Sequence, residues 1–345
     1  MNSSISLTIP DKHITNRKYR VWTFSILIMV LTSCQTNLET AKADATSNVN
    51  NASFGVLVMA HGGTAEWNAS VVESVAPLQS RFPVEIAFGM ADASSIQAGI
   101  ARLESRGVDQ IGVVRLFISG ESWFERTSQI LGLTPGAPLK PATHSDDIHT
   151  AHGAGAASHI PMAFWQVETS AKLAMSIEGL SEAKEMDSVL LSRMSSLSSS
   201  PASEVVVVLA HGPGDDGENQ RWINQIEQRL TQTQQSLAFD EIRVFTLRED
   251  WQDKRVEAEH QIRAYVSAAS ETGKTVIVVP YRVQGFGPYR DVLAGLNYRA
   301  DGLGLVPHDN VSLWIENQAQ QLQRELARMQ AKSNRQYQLA HNALE

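Results

Sequence analysis

One segment of this chain occurs twice. Val56–Gly62 reads VLVMAHG and Val206–Gly212 reads VVVLAHG, so an aliphatic run ends in Ala-His-Gly at both places. Internal repetition of this kind indicates a duplicated structural unit. A short run that is apolar on both faces is typical of a strand buried in a parallel sheet, and a helical pattern follows each copy. We therefore predict an α/β fold with two tandem Rossmann-like domains, each a parallel sheet flanked by helices.

Each copy places an imidazole just past the carboxyl end of a buried strand. His61 and His211 occupy these positions, and Gly62 and Gly212 allow the backbone to turn sharply after them. Ligands bind at this edge of open α/β sheets, so both histidines are candidate functional residues. The alternative is that each imidazole caps its strand through a hydrogen bond to a neighbouring loop.

The first residues have the composition of an export signal. A basic leader precedes the apolar stretch Val21–Thr32, which is too short to span a bilayer, and the stretch ends at Leu31–Cys34. The segment resembles a bacterial lipoprotein signal, which implies cleavage after residue 33 and lipidation of Cys34. Gln35 then favours an outer-membrane anchor in the cell envelope, facing the periplasm. A plain secretory signal with a chance cysteine is the alternative.

The composition limits the remaining chemistry. Cys34 is the only cysteine, so its acylation would leave no thiol for a disulfide, a nucleophile or a thiolate metal site. The formal net charge of −8 argues against a nucleic-acid partner, because phosphate binding needs a basic surface.

Apolar patterns divide the chain into two similar halves. Strands are predicted at 55–60, 84–90 and 111–118 in the first half and at 205–210, 242–247 and 276–281 in the second, with helices between them. The resulting division comprises a signal peptide (1–33), a flexible tether (34–53), a first domain (54–194), a serine-rich linker (195–203), a second domain (204–330) and a polar, frayed tail (331–345).

One insertion breaks the symmetry of the halves. Residues 134–160 are rich in Gly, Ala, Pro and Asp and contain four of the ten histidines, namely His144, His149, His152 and His159. Histidine-rich tracts can bind divalent metals, so these side chains are candidate metal ligands. A surface loop with no ligand role is the alternative.

Four pieces of the first half carry a resemblance to a known family. In order along the chain they are Ala60–Gly62, Phe82–Phe88, Gly107–Asp109 and Leu116–Gly120. Their order and spacing resemble the CbiX-type sirohydrochlorin chelatases, which are class II metal chelatases. The second half resembles the family more loosely, through His211, Gly212 and the segment 276–287.

The resemblance implies that the protein inserts a divalent metal, Co²⁺, Fe²⁺ or Ni²⁺, into a tetrapyrrole. His61 and His211 would then be catalytic residues and metal ligands, because a neutral imidazole can accept a pyrrole proton or bind the ion. Asp92 in the first half, and Glu249 and Asp250 in the second, lie near the expected position of an acidic ligand, although each of the three could be an ordinary solvated loop carboxylate. Trp123 stands where the family pattern carries a second histidine.

Arginines near the same strand ends are candidate partners for the carboxylates of a tetrapyrrole, since a guanidinium binds a carboxylate through two parallel hydrogen bonds. These candidates are Arg115, Arg126, Arg282 and Arg290.

Two other functions remain open. The protein could bind a metal or a tetrapyrrole at the periplasmic surface without catalysis. It could also be an α/β-hydrolase with Ser122 as the nucleophile, although a nucleophile elbow needs a small residue two positions later, where Phe124 stands.

Overall fold

The computed structural model describes residues 53–141 and 162–342, and two parallel sheets in these ranges repeat one strand order. In the first sheet, β1 (Phe54–Ala60) lies between β2 (Val84–Phe88) and β3 (Gln110–Leu116), and β4 (Lys172–Met175) pairs with β3. Every residue of β1 and β3 is buried, because helices cover both faces of the sheet.

The second sheet has the same arrangement with one strand fewer. β5 (Glu204–Ala210) lies between β6 (Glu241–Thr246) and β7 (Thr275–Tyr281), and all pairings are parallel. The predicted α/β fold is confirmed, with strand boundaries within two residues of those expected.

Helices follow the strands in both halves. The first half contains α1 (Ala65–Val75), α2 (Ala93–Glu104), α3 (Phe124–Ile130) and α4 (Glu185–Leu197). The second half contains α5 (Asp216–Arg229), α6 (Thr231–Ser236), α7 (Gln252–Glu271), α8 (Tyr289–Val292) and α9 (Asp309–Asn342). Among these described helices, none is long and apolar enough to cross a membrane.

Local sequence explains where the helices begin. Thr64 accepts a hydrogen bond from the Trp67 amide at the start of α1, and Asp215 accepts one from the Glu218 amide at the start of α5. Each side chain thereby satisfies an amide that has no partner within its helix.

The two halves exchange their last helices. α9 packs against β3, β4 and α1 of the first half, and its Leu322 lies against Gly112 of β3. In return, α4 packs against β7, α5 and α6 of the second half. Buried residues of α4 and α9 therefore belong to one core cluster that reaches both sheets. The sequence boundary at residue 204 separates the sheets but not the helices that cover them.

The polar tail predicted at 331–345 is largely a continuation of α9. The helix runs to Asn342, and its side chains from residue 331 onward are exposed. The tail is therefore helical within the described residues.

The serine-rich segment between the halves is tied to a buried carboxylate. Glu204, 1% exposed at the start of β5, accepts hydrogen bonds from the hydroxyl groups of Ser198 and Ser199 and from the amides of Ser199 and Ser200. Arg299 lies 3.3 Å from the same carboxylate. Burial alone would raise the pKa of Glu204, but these hydrogen bonds outweigh it and hold the pKa below its ordinary value.

We expect Glu204→Gln to lower the free energy of unfolding by about 1–2 kcal/mol at pH 7. A carboxylate with a lowered pKa in the folded state stabilises the fold above its ordinary pKa of 4.5 and loses that effect as the pH falls through the folded value. Urea denaturation at pH 7 and at successively lower pH should therefore show the difference between variant and wild type shrinking in acid. Glu73→Gln, at an exposed site on α1, is the matched control. A difference in unfolding free energy between variant and wild type that did not change with pH would contradict the role of the Glu204 charge.

Candidate functional site

The two repeated corners have the same backbone geometry. Gly62 and Gly212 follow the histidines with φ of 81° and 76°, a left-handed conformation that favours glycine. The Nδ1 atom of His61 lies 2.6 Å from the Gly62 carbonyl oxygen, and that of His211 lies 2.8 Å from the Gly212 carbonyl oxygen. With hydrogen on Nδ1 the ring donates to this carbonyl, which leaves Nε2 as the nitrogen with a lone pair.

Only the second corner places carboxylates beside its histidine. The His211 Nε2 atom lies 3.2 Å from an Asp250 oxygen and 3.9 Å from a Glu249 oxygen. The Trp251 ring stands edge-on to the imidazole with 6.3 Å between centroids. Within the described ranges, no carboxylate lies this close to His61, and its ring neighbour is Trp67 at 6.2 Å.

A half-buried arginine, Arg282, and a buried tyrosine, Tyr289, lie beside Glu249. The Glu249 side chain is 11% exposed and forms an ion pair with Arg282. The Arg282 guanidinium lies over the Tyr289 ring, 5.7 Å from its centroid. Burial alone would lower the pKa of Arg282, but Tyr289 and Glu249 raise it above its ordinary value. Arg282 therefore supplies a permanent positive charge beside Glu249.

Arg248 holds the loop that follows His211. Its backbone is left-handed, with φ of 58°, and its side chain is buried. The guanidinium donates to the Pro213 carbonyl, to the Gly214 carbonyl at 2.6 Å and to an Asp216 carboxylate oxygen at 2.8 Å. The loop between His211 and α5 is thus held by Arg248, a residue that follows β6.

Strand register shows that the first half has apolar residues at the positions of Glu249, Arg282 and Tyr289, whereas Asp92 stands at the position of Asp250. Ala60 pairs with Phe88 as Ala210 pairs with Thr246, so Ala91 corresponds to Glu249. Leu116 and Tyr281 are likewise equivalent partners of the central strands. By the same offsets, Phe117 corresponds to Arg282 and Phe124 to Tyr289. The Glu249–Arg282–Tyr289 contacts are therefore specific to the second half.

Asp92, expected as a metal ligand, caps a helix. One of its oxygens accepts from the Ser95 amide at 2.8 Å and the other from the Ala163 amide at 2.7 Å. This carboxylate therefore joins the start of α2 to the chain at residue 163. Across the part of the chain that is described, no three His, Cys, Asp or Glu side chains are arranged to hold a metal ion by themselves.

The expected tetrapyrrole-binding arginines are mostly engaged within the protein. Arg115 is buried and donates to the carbonyls of Gly120, Ser122, Ser176 and Ile177. Arg126 donates to the carbonyls of Ala91, Met162 and Ala163. These two guanidinium groups, together with Arg282, thus hold the protein's own groups instead of a ligand. Arg290, on α8, is exposed.

The nucleophile elbow of a hydrolase is not formed at Ser122. The left-handed residue of this corner is Trp123, with φ of 57°, and not the serine. Among the hydrogen bonds of the described residues, none joins the Ser122 hydroxyl to a histidine. The remaining expected site residues, Cys34 and His144, His149, His152 and His159, lie outside the described residues.

Sequence reasoning missed Arg248 and Tyr289 as parts of the site. Asp250 was named with Glu249 as an acidic candidate, and the structure places it nearer to Nε2 of His211 than Glu249. Tyr289 could be recognised only by aligning the two halves, because the alignment places this tyrosine at the position of Phe124.

No protein-family model and no curated protein matches this chain. Among solved structures, the chain is similar to SirB from Bacillus subtilis with Fe³⁺, with 14% identity, a TM-score of 0.53 and coverage of 78% of this chain and 95% of that chain. A sirohydrochlorin chelatase SirB from Bacillus subtilis subspecies spizizenii, in complex with cobalt, aligns with 13% identity, the same two coverages and a TM-score of 0.47.

A multi-domain protein from Deinococcus radiodurans, described as structurally similar to chelatases, aligns with 14% identity and a TM-score of 0.47, covering 78% of this chain and 55% of its own. The chain therefore has an α/β fold like that of the SirB structure with Fe³⁺, with two parallel sheets flanked by helices.

Proposed function

We propose that this protein binds a divalent metal ion, Co²⁺, Fe²⁺ or Ni²⁺, at the His211 corner and inserts it into a tetrapyrrole. One observation carries the proposal: Nε2 of His211 lies close to Asp250 and Glu249 at the carboxyl edge of a parallel sheet. The chelatase-like fold supports it, and the similar SirB structures hold Fe³⁺ or cobalt.

Metal insertion requires a site that can both bind and release the ion. Imidazole nitrogen and carboxylate oxygen are suitable ligands for these metals, and an incomplete ligand set leaves coordination positions open to the macrocycle. The macrocycle must also lose two pyrrole protons. While Nε2 of His211 holds the ion, the carboxylates of Asp250 and Glu249 or water would accept them, and Nε2 could accept a proton only after it has released the metal. Arg282 would keep Glu249 in place while the charge of the site changes.

The decisive experiment is an anaerobic insertion assay with sirohydrochlorin and Co²⁺, followed by absorbance. We expect the wild-type protein to raise the insertion rate above the protein-free rate, and Asp250→Asn to reduce this increase. Asp291→Asn, at an exposed position of α8, is the control. Equal rates with and without protein would contradict the catalytic proposal.

A non-catalytic role in binding a metal or a tetrapyrrole is the second candidate. It is favoured by the apolar character of the first corner, where Ala91, Phe117 and Phe124 replace the polar network. Binding of both ligands without insertion in the same assay would support it.

We also propose that the protein is exported and anchored to the membrane by a lipid on Cys34. The lipoprotein-like leader supports this proposal. If Cys34→Ala left the membrane-bound fraction of the protein unchanged, the proposal would fail.

A further inference from the structure

The corner after β3 holds a tryptophan in a conformation that side chains of its kind rarely adopt. Trp123 has φ of 57°, and its side chain is 39% exposed. A bulky residue in the left-handed region is strained, and such strain persists only where the surroundings fix the backbone. A tryptophan needed only for the core would be expected to bury its indole.

Hydrogen bonds fix the backbone on both sides of Trp123. Arg115 donates to the Gly120 carbonyl at 2.6 Å and to the Ser122 carbonyl at 2.8 Å. The Gly120 amide donates to Glu182 at 3.2 Å, and the Thr127 hydroxyl donates to the Trp123 carbonyl at 2.7 Å. The corner therefore presents a partly exposed indole from a rigid backbone.

A second exposed apolar side chain is held by the same arginine. Arg115 donates to the Ile177 carbonyl at 3.2 Å, and the Ile177 side chain belongs to a residue that is 72% exposed. The Ile177 carbonyl also packs directly on Gly120, where an added Cβ would come within 2.3 Å of it. Trp123 and Ile177 thus flank one corner at the carboxyl edge of the first sheet.

An ion pair ties this corner to the half that carries His211. Both oxygens of Glu121 accept hydrogen bonds from Arg221, at 2.8 and 2.7 Å. Arg221 lies in the first half of α5, the helix that follows the His211 loop. His61 lies at the same sheet edge as Trp123, because it follows β1, the direct neighbour of β3.

We propose that Trp123, with Ile177 beside it, is the platform on which one flat face of the tetrapyrrole lies, so that the first half binds the ring and the second half handles the metal. This inference rests on the proposed function and specifies its ring-binding surface. A macrocycle has large apolar faces, and an indole carried on a fixed backbone has only its side-chain rotation to lose when it stacks on such a face. The apolar corner of the first half fits this division of roles.

The test is equilibrium binding of metal-free sirohydrochlorin to the full chain under anaerobic conditions. We expect Trp123→Ala and Trp123→Gly to weaken binding by about tenfold, whereas Trp123→Phe keeps an aromatic face and stays within about threefold of wild type. Tyr337→Ala removes an aromatic side chain that is 76% exposed on α9 and should change nothing. Titration with Co²⁺ alone should be the same for all four variants.

The glycine variant separates ring binding from a structural role. Glycine adopts a positive φ freely, so Trp123→Gly should melt at a temperature no lower than that of wild type while it loses ring binding. A large fall in Tm with the loss of binding, or unchanged ring binding in both the Ala and Gly variants, would overturn the platform. If the wild type itself did not bind sirohydrochlorin, the tetrapyrrole function would fail, and the platform with it.

Discussion

Replacing His211 by alanine is expected to weaken Co²⁺ binding by at least about tenfold, whereas His61→Ala should have a much smaller effect. The two histidines share their backbone geometry, but only His211 has Asp250 and Glu249 beside its Nε2 atom. His61 is exposed, and within the described structure no carboxylate lies close enough to bind a metal ion together with its imidazole. Isothermal titration with Co²⁺ measures both affinities.

The pair of variants is its own matched control, since each removes one imidazole from one copy of the repeated corner. Thermal unfolding should be nearly unchanged in both, because each ring is partly or fully exposed and its Nδ1 contacts only the next residue's carbonyl. Equal losses of affinity would mean that both corners ligate one ion. Unchanged Co²⁺ affinity in His211→Ala would mean that the metal does not bind at this corner.

Replacing Arg115 by leucine is expected to lower the free energy of unfolding by about 3–5 kcal/mol. The guanidinium is 1% exposed and bridges the corner after β3 to the chain after β4, through the carbonyls of Gly120, Ser122, Ser176 and Ile177. Burial lowers the pKa of Arg115 to about 10, although Glu182 partly opposes this, so the group stays charged at pH 7. Its loss would leave several carbonyls without partners, each at a cost of about 1–3 kcal/mol where water cannot replace it.

Urea denaturation of Arg115→Leu beside Arg290→Leu measures this effect. Arg290 is exposed on α8, so its replacement should change the unfolding free energy by less than about 0.5 kcal/mol. If Arg115 were a ligand-binding residue, as the sequence suggested, its variant would instead keep its stability and lose tetrapyrrole affinity.

The sequence predicted the elements whose side chains follow a regular period. β1 is wholly apolar, β5 is apolar after Glu204, and α2 places Ile96, Ile100 and Leu103 on one face, so these elements were recognisable. β4 has only four residues, of which two are buried, and gave no comparable signal. An apolar stripe predicted α9 but not its location, since a stripe shows that a helix is buried and not which sheet it covers.

The candidate site could be predicted where its residues belong to the repeated sequence motif. His211 followed from the duplicated motif, and Glu249 from its place after the second strand of the second half. The uses of the arginines did not follow, because a guanidinium at a strand end can bind a ligand or backbone carbonyls with the same chemistry. Arg115 and Arg126 bind carbonyls on segments more than fifty and thirty residues away, which sequence alone does not bring together.

The exchange of last helices has a consequence for how the chain folds during synthesis. β1 and β3 emerge from the ribosome before the second half is made, yet one face of their sheet is covered by α9, which follows every strand of both sheets. That apolar face stays open until α9 has been made, because the contacts that close it are far apart in sequence. Either half produced alone would lack a covering helix, so we expect fragments divided at residue 204 to aggregate when expressed separately and to become soluble when expressed together.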